Sequence, residues 1–142
     1  MTVQEYLEQA RDLGKQIKAF QDELIHIEAL AESASSSYGQ IRAQGSKQGS
    51  KVENYATLAS DLTKFIKRDI KTMLKKQMEI RVVIKSVEDN TLQTLLDFYY
   101  LCGYTWVQVS WCMNYSERHI MRLHGEALKK IEEKHPEIIM MS

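Results

Sequence analysis

Arg118 and Arg122 stand four residues apart with His119 between them, in the string Ser116-Glu117-Arg118-His119-Ile120-Met121-Arg122. A guanidinium is a planar fork of N–H donors. It can grip a phosphate, or take O6 and N7 of one guanine together. At about 100° per residue Arg118, Arg122, Gly125 and Lys129 fall on one side of a helix, while Ile120, Leu123, Ala127, Leu128 and Ile131 fall on the other. Ser116 stands where such a helix begins. Its hydroxyl can cap the first free N–H groups, and a helix N-terminus favours a phosphate. Arg118, Arg122 and His119 are therefore expected to face base edges, with Glu117 beside them. Ser116 is expected at a phosphate, and Lys129 and Lys130 along the nucleic-acid backbone. Gly125 leaves a gap in the row where a backbone can approach closely.

A second cationic row, Lys64, Lys67 or Arg68, Lys71 and Lys75, repeats at three or four residues. It suits phosphates or an acidic protein patch, or it simply complements an acidic neighbour. Other chemistry is poorly supplied. Cys102, Cys112, His119 and His124 have spacings unlike those of two-cysteine zinc modules. The expectation is buried thiols and a His124 that hydrogen-bonds within the fold. Trp106, Trp111, Tyr99 and Tyr100 read as core of a helical unit rather than as a base-stacking platform. No glycine-rich phosphate loop, nucleophile elbow or carboxylate pair is present, so no enzyme activity and no cofactor are expected.

The elements that would position the arginines can be read from their ends. Asp89 or Asn90 caps a helix that should stop at Gly103, a position favouring a left-handed residue. Thr105 caps a short second helix, Asn114 and Tyr115 make a turn, and Ser116 starts the last helix. Pro136 follows its end. This order is that of a helix-turn-helix, in which one helix enters the DNA major groove.

Thr105-Trp106-Val107-Gln108-Val109, Met113-Asn114-Tyr115-Ser116 and Arg122-Leu123-His124-Gly125-Glu126-Ala127-Leu128 resemble region four of bacterial sigma factors. The whole layout is similar to that of small prophage proteins of Gram-positive bacteria, of the kind of RinA-like and ArpU-like late transcription regulators. The resemblance implies that Ser116 caps the reading helix, that Glu117, Arg118, His119 and Arg122 meet bases, and that Ala127 and Leu128 pack its end. The pattern departs at Val107 and Gln108, where acidic residues are common, and at Phe98, Tyr99 and Tyr100.

Upstream, Tyr6, Ala10, Leu13, Ile17, Phe20, Leu24, Ile27 and Ala31 alternate spacings of four and three, a coiled-coil seam. Leu62, Ile66, Ile70, Met73, Ile80, Ile84 and Val87 make a looser stripe. Between them Ser33–Ser50 holds six serines and three glycines, the composition of a flexible linker. Residues 1–34 carry three basic and seven acidic residues, and residues 63–86 carry eight and two. Opposite charges favour an antiparallel pair, within one chain or between two.

The expected fold is all-α. A helical hairpin spans 1–87 with a linker at 35–52, and a helix-turn-helix domain spans 88–135. The expected partners are double-stranded DNA, host RNA polymerase and a second copy joined through the hairpin. No apolar run reaches the roughly 18 residues that a membrane span needs, and the polar N-terminus reads as no secretory leader. Both point to the bacterial cytoplasm. The formal net charge is +0, and 103–135 carries five basic residues against four acidic. That weak electrostatic grip leaves two further readings open: a sigma mimic that binds a host protein, and a small-terminase-like protein that recognises phage packaging DNA.

Overall fold

The computed structural model describes the fold of residues 1–41 and 49–141, and the side chains of residues 1–33 and 54–141. Among the described residues it is all-α. The order is α1 (Val3–Ile41), α2 (Gly49–Lys85), α3 (Asn90–Leu96) continued by a π turn (Asp97–Leu101), α4 (Trp106–Met113), α5 (Glu117–Lys134) and a 3₁₀ turn (Pro136–Ile138). Helix is present at 35–41 and from Gly49, within the stretch read as a linker; residues 42–48, its middle, lie outside the described residues. Among the described residues, no helix is long and apolar enough to cross a membrane.

The chain forms two compact units, Met1–Gln16 with Met73–Ser142, and Ile17–Thr72. In the first, Val3, Leu7 and Ala10 of α1 and Ile80 and Ile84 of α2 share one core with Leu92, Leu95, Leu96, Tyr100, Val109, Ile120, Ala127 and Ile131. Val87 belongs to that core, so the boundary read at residue 88 falls inside one packed body. A helix of eight residues such as α4 buries too little alone, and tertiary packing must hold it. In the second unit Ile17, Ile27 and Ile66 are buried.

The helix ends have local causes. The Asp89 side chain accepts from the Leu92 N–H, and the Ser116 side chain from the His119 N–H. Thr105 and Gln108 form a reciprocal capping box around the start of α4. Asn114 ends α4 in the left-handed region at φ 58, and Gly103 turns the chain at φ 75. A Cβ at Gly103 would meet nothing within 4 Å, so the cost of Gly103→Ala is backbone strain alone. We expect it to lower stability by about 1 kcal/mol, read as a fall in thermal midpoint with the helical circular dichroism retained.

Three expectations are corrected. Cys102 and Cys112 are exposed, not buried. Cys102 ends the π turn next to Gly103, and Cys112 lies off the inner side of α4, which buries Val109 and Ser110. Trp111 is 72% exposed and is not core. It stands two residues from Val109, about 200° around the helix, and so points away from the face Val109 buries. Trp106, Tyr99 and Leu123 do pack against the core.

Candidate nucleic-acid interface

α5 is held from below by its inner face. Ile120, His124, Ala127 and Ile131 are buried, and α5 packs chiefly on α3. His124 is the polar member of that row. Its Nε2 lies 2.7 Å from the Tyr100 hydroxyl, and its ring is 4.6 Å from that of Trp106. Burial pushes the Tyr100 phenol well above its usual range, so it stays protonated. Burial also pushes the His124 imidazole down to about 4. A neutral imidazole accepting from a phenol O–H satisfies both groups in the core.

The floor beneath α4 is built by a residue far away in sequence. Arg11 Nη1 donates to the carbonyl oxygens of Tyr99 and Tyr104, each at 2.8 Å. Its guanidinium carbon lies 4.2 Å from the Tyr99 ring centroid. Trp106 stacks on Tyr99 at 3.7 Å and 8°, so the Tyr99 ring is sandwiched. Phe98 and Tyr104 stack at 5.4 Å on either side of the Gly103 turn. Lys85 pairs with Asp97 at the start of the π turn. Together these contacts fix where α3 ends and α4 begins.

On the opposite face, Ser116, Arg118, His119 and Arg122 line one open concavity at the start of α5. Glu117 is exposed beside them. Tyr115 stacks on the His119 ring at 4.5 Å and 20°, and His119 Nδ1 lies 3.4 Å from Arg122 Nη2. An ordered row of aromatic, imidazole and guanidinium results, at the end of a helix dipole that favours anions. The sequence marks Tyr115 as a turn residue and no more. Its place four before His119 was the signal that the two rings could meet. Lys129 is exposed farther along α5. Lys130 lines a separate concavity with Ser86, Glu88 and Lys134, where Lys134 pairs with Glu88.

A family model described as "Protein of unknown function (DUF1492)" matches residues 32–132, which include α3, α4 and nearly all of α5. The chain belongs to the DUF1492 family. No curated protein and no solved structure matches it. The DUF1492 match contains every residue of both cationic rows. In the second row Lys64, Lys67, Arg68, Lys71 and Lys75 are all exposed. The ion pairs among the described residues involve none of them. Arg68 rests over the Phe65 ring at 5.7 Å. Cys102 and Cys112 do not join His119 and His124, and among the described residues no three His, Cys, Asp or Glu side chains gather as a metal would require.

Proposed function

We propose that this chain is a phage-encoded transcription regulator that reads double-stranded DNA with α5, an activator of late genes acting with host RNA polymerase in the bacterial cytoplasm. The α3–α4–α5 segment serves as its helix-turn-helix domain, and the α1–α2 hairpin joins two copies. The observation that carries the reading is the concavity of Ser116, Arg118, His119 and Arg122 at the start of α5, on a helix whose other face is anchored in the core. Arg118 and Arg122 read bases, Ser116 and the helix N-terminus take a phosphate, and Lys129 and Lys130 follow the backbone. With so few cations, one copy grips DNA weakly. Two copies, or polymerase bound alongside, supply the rest.

Fluorescence polarisation against the DNA upstream of its own gene and of the neighbouring operon, at two salt concentrations, tests the reading. Selective, salt-sensitive binding is expected. Arg118→Ala or Arg122→Ala should each cost roughly 1–3 kcal/mol and relax the preference at one base position. Unchanged affinity and preference in both variants would sink the assignment. The exposed Val107 and Trp111 on α4 favour a second reading, a sigma mimic that binds a host protein, since exposed aromatics mark protein interfaces. Retained capture of polymerase after charge reversal at Arg118 and Arg122, with no DNA selectivity, would decide for it.

A further inference from the structure

Gly125 stands in the middle of α5, an 18-residue helix. After proline, glycine is the least favourable residue in a helix interior, because it gives up the most backbone freedom. It weakens the helix unless something needs the space that a side chain would fill. Two other glycines have such a reason within the chain. Gly103 turns at φ 75, and a Cβ at Gly14 would lie 3.4 Å from Nε2 of Gln77 on α2. Gly125 has neither. Its φ is not positive, and a Cβ there would meet nothing within 4 Å. It is exposed, on the side of α5 that carries Arg118, Arg122 and Lys129. The gap serves no contact among the described residues, so it is matched to something outside the chain.

The neighbours of the gap define its shape. A helical side chain leans toward the N-terminus and covers the turn before its own Cα. The missing side chain at Gly125 therefore leaves bare the surface over Met121 and Arg122, four and three residues earlier. Met121 lies about 40° around the helix from Gly125, and Arg122 about 60° around on the other side. Met121 is 41% exposed, and Arg122 is exposed as well. The result is a shallow notch with backbone for a floor, a thioether on one side and a guanidinium on the other. A thioether donates no hydrogen bond and accepts only weakly. It is soft and polarizable, and it suits an apolar group. In the major groove the C5 methyl of thymine is the apolar group on a base edge, whereas guanine offers O6 and N7 to an arginine.

We infer that Met121 and Gly125 form the seat of a thymine C5 methyl, so that α5 reads a thymine beside the guanine taken by Arg122. The inference rests on the DNA reading proposed for α5. It adds a base to the target, and it makes Gly125 the point at which the helix backbone lies closest to the base edges. Met121 and His119 fall on opposite sides of the arginine pair, so the thymine lies on the flank of α5 away from the stacked His119 and Tyr115 rings.

The test uses the full chain and a randomised pool of DNA duplexes. The duplex that the chain enriches is resynthesised with each thymine replaced singly by deoxyuridine, which lacks only the methyl. One replacement should weaken binding by about fourfold, the value of one methyl group removed from water. Met121→Ala should bind the thymine duplex about fourfold more weakly and no longer distinguish it from the deoxyuridine one. Gly125→Gln fills the notch without changing charge. It should also lose the distinction and bind roughly tenfold more weakly, while its thermal midpoint rises by about 3 °C because glutamine favours the helix. Opposite signs for stability and affinity separate a contact with DNA from a structural role. Neither variant should change the salt dependence, since no phosphate contact is removed. An enriched duplex indifferent to every deoxyuridine replacement would overturn the inference and leave Arg118 and Arg122 as base readers. A thymine preference that persists in either variant, or a midpoint that falls in Gly125→Gln, would overturn it too. A wild-type chain that enriches no duplex would remove the DNA reading itself, and this inference with it.

Discussion

Arg11→Ala is expected to lower the unfolding free energy by about 3 kcal/mol. The guanidinium donates to two half-buried carbonyl oxygens at 2.8 Å, those of Tyr99 and Tyr104, and covers one face of the Tyr99 ring. Alanine leaves both acceptors with neither donor nor a ready path to water, and strips a cation from an aromatic sandwich. A charged hydrogen bond contributes about 1.5–3 kcal/mol and a cation–π contact about 0.5–2 kcal/mol, and the two are not additive here because they share one group. Arg11→Lys should recover only part of the loss, because one ammonium cannot reproduce the planar fork that spans two carbonyls. Urea unfolding of both variants reads the difference. A loss below about 1 kcal/mol for alanine would mean that water replaces the guanidinium, and the α3–α4 junction would then hold without α1.

That junction separates what the sequence discloses from what it hides. Asp89, Thr105, Asn114, Ser116 and Gly103 are legible because each acts on N–H or backbone groups within a few residues. Their spacing to a helical run is itself the signal, and the structure has each of them at a helix end or turn. Arg11 acts across 88 and 93 positions, and nothing local marks it. The seam of α1 is legible as one stripe from Tyr6, yet Leu7, among its most buried residues, lies beside that stripe, and buried Val3 continues it one step before Tyr6. They face the core shared with α3–α5, which a two-helix pattern does not contain. Trp111 and Cys112 failed for a different reason. An eight-residue helix offers about two turns, so periodicity alone does not choose its inner face. The candidate site shows the same split. Arg118 and Arg122 are legible as a row with His119 beside it, while the stacking of the Tyr115 ring on His119 needs, besides their four-residue spacing, the turn geometry set by Asn114.

Acid should weaken the fold through His124 by about 2 kcal/mol between about pH 7 and about pH 4.5. Its folded pKa is pushed down to about 4 from 6.5 by burial. The unfolded chain therefore binds the proton more readily throughout that interval. A base with a lowered folded pKa contributes no penalty above its unfolded value. The penalty grows as pH falls from about 6.5 and levels off below about 4, near 3 kcal/mol. The physical event is loss of an acceptor. A protonated imidazole has no lone pair for the Tyr100 O–H, and it places a charge among Tyr99, Tyr100 and Trp106. His124→Gln keeps an amide oxygen to receive that O–H and does not titrate. The two proteins, unfolded by urea across the same pH series, should therefore diverge steadily below about pH 6.5, with the wild type falling faster. Every other titrating group is common to both and cancels in the difference. Parallel curves would show that the imidazole keeps access to water and titrates normally. Two residues separate His124 from Arg122, about 200° around α5. The same buried contact therefore fixes the rotation of the helix, and with it the direction in which the exposed arginines point.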